Sequence, residues 1–391
     1  GVNSAEITTL THGGYYDNFG FWFADINNPG TAASLIKAKT TGVFASVDYS
    51  INDQMSVTAE VRRQDDEIDE PKINLTAPGL SPGTFKATLP RISFKNQLSS
   101  NAMAYLTYSE GNLPGGFNPE VATKLRNAGQ IAEFQAQNPG IFENYGEESL
   151  KNYELGYKKT ALDGRLAYNI ALFSMERTDQ VYSGFGQITA DGICNAGSED
   201  VVVCTVNFSG NGQSSDINGF ELDGTYLVSE NLEIKTSLAY VDATISQFPD
   251  GAGCGDIQAV FGDCSRVKGS IAPRYPEWQG SLIANYETDS NLYIRGELFY
   301  NDGYYDEATN LAEIPSGTEI NLRVGKRMEN MTAELYVTNL TDEDAPLGGN
   351  NIADTSGYVR FGTYSYNFGV ESVHIAFRDK REFGVRIMYE F

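Results

Sequence analysis

Histidine and tryptophan are nearly missing from this chain: two of each occur in 391 residues. His12 and His374 stand far apart in stretches that read as loops, and no G-x-S-x-G, H-E-x-x-H or P-loop pattern is found. An enzyme is therefore not expected, and no catalytic residue, metal site or cofactor is assigned. Cations are also scarce. Lys and Arg number 28 against 52 Asp and Glu, a net charge of −24. Nucleic-acid affinity rests on Lys and Arg neutralising phosphates, so nucleic acid is excluded as a partner.

Long apolar runs are absent too. No window holds the roughly 18 consecutive apolar residues of a membrane-spanning helix. Mean hydropathy is −0.33, and no charged-then-apolar leader opens the sequence. The first residue is Gly1, which fits a mature form or a piece of something longer. A transmembrane β-barrel stays open, because its strands show only alternation over segments of about ten residues.

Cysteine is sparse. Cys194 and Cys204 are ten residues apart, as are Cys254 and Cys264, each pair in a Gly/Asn/Asp-rich stretch. Zinc-type C-x-x-C spacing is missing. We expect two disulfides acting as loop staples in an oxidising compartment. Four cysteines allow three connectivities, of which neighbour pairing is the shortest closure.

What is abundant is Tyr (23), Phe (21) and Gly (40), a composition suited to strands and turns. Val43, Ala45, Val47, Tyr49 and Ile51 fall on one face, and Ser46, Asp48 and Ser50 on the other. After a three-residue turn, Met55, Val57, Ala59 and Val61 alternate with Ser56, Thr58, Glu60 and Arg62. The period of two recurs to the end, where Phe383, Val385, Ile387, Tyr389 and Phe391 oppose Glu382, Gly384, Arg386 and Glu390. It predicts about 14 strands, over 1–10, 38–51, 55–64, 87–96, 101–110, 149–160, 165–178, 215–228, 231–245, 277–288, 291–302, 317–328, 331–339 and 380–391.

The connections alternate between tight and long. Tight turns fall near 52–54, 97–100, 161–164, 229–230, 288–290 and 329–330; long stretches cover 11–37, 65–86, 111–148, 183–214, 246–275, 303–316 and 340–379. Structureless loops above about 12–15 residues are uncommon in compact soluble domains. A meander with short turns at one end and long loops at the other fits an outer-membrane barrel. The polar face carries both signs of charge, as in Arg295 with Glu297 and Arg323 with Glu319. In a wide barrel such residues line a wet or plugged interior while the apolar face meets lipid. A soluble β-sandwich or β-helix with one polar face is the alternative.

Within 111–148, an apolar series at Val121, Leu125, Ala128, Ile131, Ala132 and Phe134 predicts a short amphipathic helix, started by Asn118-Pro119 and stopped by Asn138-Pro139-Gly140. It reads as packing within the loop, or as a ligand lid. Asp65, Asp66, Glu67, Asp69 and Glu70 form an acidic run, read as solvated charge rather than a Ca²⁺ site because EF-type spacing is missing.

Several stretches carry a resemblance. Y-S-E-G at 108–111 followed by P-G-G-F-N at 114–118 resembles a signature of TonB-dependent outer-membrane receptors. So do E-S-L-K-N-Y-E-L-G-Y at 148–157, D-G-R-L at 163–166 with A-L-F at 171–173, N-G-F-E-L at 218–222, A-P-R-Y-P at 272–276 with Trp278, V-T-N-L-T-D at 337–342, and R-E-F-G-V-R at 381–386. They follow the family's order over most of 101–391.

The resemblance implies an all-β, transmembrane, up-and-down antiparallel barrel, 1–391 supplying about 14 of its 22 strands. The chain then corresponds to the C-terminal portion of a receptor whose plug and TonB-engaging segment lie elsewhere. Residues 111–148, 183–214 and 246–275 become extracellular loops, the last two holding the expected disulfides. The implied function is TonB-dependent uptake of a scarce nutrient, a siderophore-iron or similar chelate, across the bacterial outer membrane. The implied partners are membrane lipid, the TonB complex, the outer-membrane assembly machinery and the small ligand. Ligand contacts are expected from Phe117, Asn118, Tyr145, Arg177 and Tyr182, near the loop ends of strands. Phe383, Val385, Ile387, Tyr389 and Phe391 resemble the C-terminal assembly signal. A passive porin-like channel, a free-standing 14-stranded barrel and an adhesive or structural barrel are the competing readings.

Overall fold

The computed structural model describes residues 2–11, 14–16, 22–24, 34–69, 83–118, 121–125, 129–190, 202–248, 267–306, 308, 310, 313–353 and 371–391. Fourteen strands form one sheet in which each strand bonds to the next in sequence. They are β1 (Val2–Thr11), β2 (Ser34–Ser50), β3 (Met55–Asp69), β4 (Gly83–Ser99), β5 (Ala102–Leu113), β6 (Glu148–Ala161) and β7 (Leu166–Ala190). Then come β8 (Val202–Leu227), β9 (Leu232–Gln247), β10 (Trp278–Glu287), β11 (Leu292–Asn301), β12 (Gly317–Arg327), β13 (Met331–Thr338) and β14 (Glu382–Tyr389). Every pairing is antiparallel. All 14 predicted strands are found in place.

The register turns local alternation into a continuous belt. Tyr49, Val57, Phe94, Leu106, Leu155, Leu172, Phe220, Tyr240 and Trp278 stand opposite one another in turn, across β2 to β10. Leu232, Tyr286, Ile294, Val324, Leu335 and Val385 make a second row to β14. Leu106, Leu155, Leu172 and Leu335 are each more than half exposed. An apolar band this long far exceeds the few hundred Å² that soluble monomers tolerate. Against lipid it costs nothing, and the ladder satisfies the backbone there.

The opposite face is polar and cross-linked. Glu297, almost fully buried, accepts from Arg295 Nε at 2.7 Å and lies 3.7 Å from Arg323 Nη2. The sequence reading set Arg323 beside Glu319; register instead brings Arg323 to Glu297, and Glu319 pairs with Arg378 at 3.1 Å. Tyr105, Tyr293 and Tyr336 each stand opposite a glycine, Gly156, Gly325 and Gly384 respectively. Their hydroxyls donate to Glu154 (2.6 Å), Glu334 (2.8 Å) and Glu382 (2.9 Å). The E-x-G steps Glu154–Gly156 and Glu382–Gly384 of the recognised motifs therefore serve one device: the glycine admits the ring, and the glutamate two residues earlier accepts the hydroxyl's hydrogen bond.

Several predicted boundaries move. The stretches 65–86 and 183–214 are partly strand, because ladder bonds carry β3/β4 through Ile68↔Gly83 and β7/β8 through Ala190↔Val202. At about 25 residues, β7 and β8 outrun the 9–11 that cross a bilayer. Register shifts between Arg177, Gln180 and Tyr182 break the hairpin above the main sheet. Other long connections carry small hairpins: Tyr304–Tyr305 with Glu313–Ile314, and Gly348–Ala353 with Glu371–Ala376. His374, expected in a loop, pairs with Asn350 in the second of these.

The acidic run through Asp69 is the end of β3, paired on both sides with β2 and β4, rather than loose charge. Asp66 is buried and accepts from Thr40 Oγ1 (2.6 Å) and Gln64 Nε2 (2.8 Å), while Asp65 meets Lys86 and Glu67 meets Lys39. Among the described residues no cluster of metal-ligating side chains is present. Cys194, Cys254 and Cys264 lie outside the described residues, as do His12 and Glu70; the backbone of Cys204 pairs with Ile188 in β8.

Candidate ligand-binding surface at the loop end

Among the described residues, two apolar clusters form at the loop end of the sheet. Val121, Leu125, Phe134, Ile141, Tyr182, Val206 and Phe208 pack together, with Ile131 and Phe248 against them. The helix expected over 119–137 is broken in two: a π-helical turn, Val121–Leu125, and α1 (Ile131–Gln137). Gly129, at φ +71°, turns the chain between them. Both pieces bury apolar side chains, Val121, Leu125 and Phe134, in the first cluster. Ala132, expected in the stripe, is exposed.

Asn118 anchors the loop. Its Nδ2 donates to the carbonyls of Phe142 (2.8 Å) and Ser209 (2.7 Å), and its Oδ1 accepts from Ser209 N at 2.6 Å. Both amide protons are thus spent inside the protein. Asn211 does the same at the rim, donating to Gly146 O (3.1 Å) and Asp179 O (2.8 Å). Tyr182 is buried, its ring 5.2 Å from Phe248 and 6.2 Å from Phe208. Arg177 hydrogen-bonds through Nε to the buried Glu148, whose other oxygen accepts from Val181 N at 3.1 Å. Phe117 and Tyr145 sit half-buried in a two-stranded bridge, Gly116–Phe117 with Asn144–Tyr145. The five expected residues thus converge on one region, with Asn118 and Tyr182 as its framework and Phe117, Tyr145 and Arg177 nearer its surface.

A second feature was not anticipated. At the loop end of β10–β12 a cleft of about 860 Å³ is lined by Arg274, Gln279, Asn301, Tyr304, Asp306 and Arg378, among others. Arg274 comes from the A-P-R-Y-P motif, sits at φ +66°, and donates through Nε to Asp306 Oδ1 at 2.8 Å. Tyr304 donates to Leu347 O at 2.6 Å, and burial raises its phenol above the ordinary value near 10. The floor is tied down through V-T-N-L-T-D. Asn339 N donates to Asn321 Oδ1 (2.8 Å), Asn339 Nδ2 reaches Glu343 O (2.8 Å) and Asp379 O (3.0 Å), and Asp342 accepts from Arg381 N (3.0 Å). Glu343 accepts from the amides of Ala345 (3.0 Å) and Thr318 (3.2 Å), which holds its carboxyl below the usual range. The motif signalled a turn; that it brings Arg378 to the cleft is visible only in three dimensions.

Comparison with known proteins places the fold. The family model described as TonB dependent receptor-like, beta-barrel matches residues 2–340. Among solved structures, the siderophore receptor PiuA from Acinetobacter baumannii is 14% identical with a TM-score of 0.67, covering 99% of this chain and 52% of PiuA. The ferric yersiniabactin uptake receptor FyuA from Yersinia pestis is 14% identical with a TM-score of 0.62, covering 92% of this chain and 46% of FyuA. The copper transporter OprC is 13% identical with a TM-score of 0.65, covering 100% of this chain and 53% of OprC. The chain thus spans about half the length of these receptors. The family match over most of its length shows that the chain belongs to the TonB-dependent receptors of the bacterial outer membrane, within their β-barrel domain.

Proposed function

We propose that the protein imports a scarce nutrient, with an iron chelate foremost, by energised uptake across the outer membrane. The observation that carries this is the division of the sheet: a lipid-type belt on one side, and on the other a polar wall ending in a built loop cluster. FyuA is named for ferric yersiniabactin, PiuA for a siderophore and OprC for copper, which supports a metal-bearing ligand. In this reading Phe117, Tyr145 and Arg177 touch the ligand, while Asn118 and Tyr182 hold the surface that presents them. TonB supplies the energy through a plug domain. Disulfides among Cys194, Cys204, Cys254 and Cys264 staple the outer loops, and the alternation ending at Phe391 is read by the assembly machinery.

The test is uptake of a panel of radiolabelled ferric siderophores by cells carrying the intact receptor, with and without a protonophore. Accumulation that stops when the proton-motive force is dissipated supports the reading. Accumulation indifferent to it indicates a passive channel, and no accumulation of any chelate points to an adhesive or structural barrel; either overturns it.

A further inference from the structure

The protein carries a net charge of −24, yet among the described residues the loop-end cleft is lined by two guanidiniums and one carboxylate, that of Asp306. Of its other polar side chains, Gln279 carries an amide donor, Asn301 Nδ2 donates to Asp302 O at 3.2 Å, and the Tyr304 hydroxyl, spent on Leu347 O, can still accept. Gln279 and Asn301 stand opposite each other on the polar face of β10 and β11, so the cleft opens at the inner side of the wall. Among the described residues Tyr304 is the one aromatic side chain in its lining. At about 860 Å³ it is far larger than an inorganic anion and matches a small organic ligand.

The two arginines differ in depth. Arg274 is exposed, its side-chain accessibility 73%, with Nε on Asp306. Arg378 is only 10% accessible, with Nη1 on Glu319 at 3.1 Å and Nη2 at 3.4 Å from Asn301, a long contact. Its Nε is buried with no hydrogen-bond partner. Gly317 makes the room, since a Cβ there would lie 2.8 Å from Arg378 Nη2. An orphaned donor on a buried guanidinium calls for an acceptor, and the Nε/Nη2 edge of arginine matches a carboxylate's two oxygens.

We infer that the cleft between Arg274 and Arg378 seats the carboxylate-bearing end of the transported ligand, Arg274 meeting it at the mouth and Arg378 fixing it below. This rests on the uptake reading above and names the chemistry of one part of its ligand. Calorimetric titration of the intact receptor in detergent with tricarballylate, and with maltotriose as a neutral control, tests it. Wild-type protein is expected to bind tricarballylate and not maltotriose. Arg274→Gln and Arg378→Gln are each expected to weaken binding at least tenfold, and Arg378→Lys to do nearly as much, because a point charge lacks the planar fork. Heat-modifiable gel mobility checks folding; should Arg378→Gln fail to insert, Arg274→Gln decides. Unchanged binding in the correctly folded variants, or no tricarballylate binding by wild type, overturns the inference. Energised chelate uptake that survives both substitutions sinks the cleft alone, whereas loss of energy dependence in wild type sinks the uptake reading.

Discussion

Tyr336 and Gly384 stand opposite one another across β13 and β14, and the tyrosine ring occupies the place where a glycine Cβ would be, 2.2 Å away. The same pairing joins Tyr105 to Gly156, at 2.1 Å. Adding a side chain forces the ring out and breaks its hydroxyl contact with glutamate. Gly384→Val is expected to destabilise the sheet by about 2 kcal/mol, within the usual range for overpacking. Urea unfolding in detergent measures it, and Gly384→Val combined with Tyr336→Ala should recover part of the loss. A single variant as stable as wild type would contradict the packing described.

Asn118 bridges residues 24 and 91 positions away in sequence. Asn118→Ala leaves Phe142 O and both backbone groups of Ser209 without these partners. The expected local cost is about 2 kcal/mol, or roughly a 30-fold rise in opening. Hydrogen exchange should show faster amides around 142 and 209 with the protection of β10–β13 unchanged. Equal protection in the variant would mean that the loop is held by its apolar cluster alone.

Glu297 lies between Arg295 and Arg323. Removing it leaves two guanidiniums facing each other, whereas removing Arg295 leaves Glu297 with Arg323. Glu297→Ala should therefore cost about 2 kcal/mol and Arg295→Ala about half that. Equal costs measured by urea unfolding would show that the two arginines are already screened by water.

Glu343 has its carboxyl held below the ordinary value of 4.5, first by the Ala345 amide and then by that of Thr318. A depressed pKa means that its contribution is whole above the unfolded value and fades as pH falls through the folded one. Amides of 318 and 344–345 should thus lose protection below pH about 4.5, and Glu343→Gln should flatten that dependence. A variant that retains the full acid response would assign it to other carboxyls, Asp342 first, whose own pKa is lowered by the Arg381 amide.

Phe391 lies beyond the last paired residue of β14, fully exposed, its ring 5.1 Å from that of Tyr389. Deleting it removes only this exposed ring contact with Tyr389, so in vitro stability should barely change while insertion into the outer membrane falls. Pulse-chase measurement of heat-modifiable protein separates the two, and normal insertion would reject the signal.

Strand identity, strand count and the facing of residues such as Leu155, Glu154 and Ile387 were decided by the sequence, because the side-chain period of two is local and survives without tertiary context. Glycine and turn residues likewise marked the tight ends. What the tertiary structure alone decided lies between distant segments. Ladder bonding carried β7 and β8 through polar residues that read as loop. Gly129 split a helix whose apolar period looked continuous. Asn118 looked available to a ligand until its amide was seen bonded across 91 residues. Arg274, Tyr304 and Arg378 come from three separate connections, and only the pairing of the strands beneath them brings their side chains to one cleft. A local pattern fixes which way a residue faces; which residue it faces depends on the register of the whole sheet.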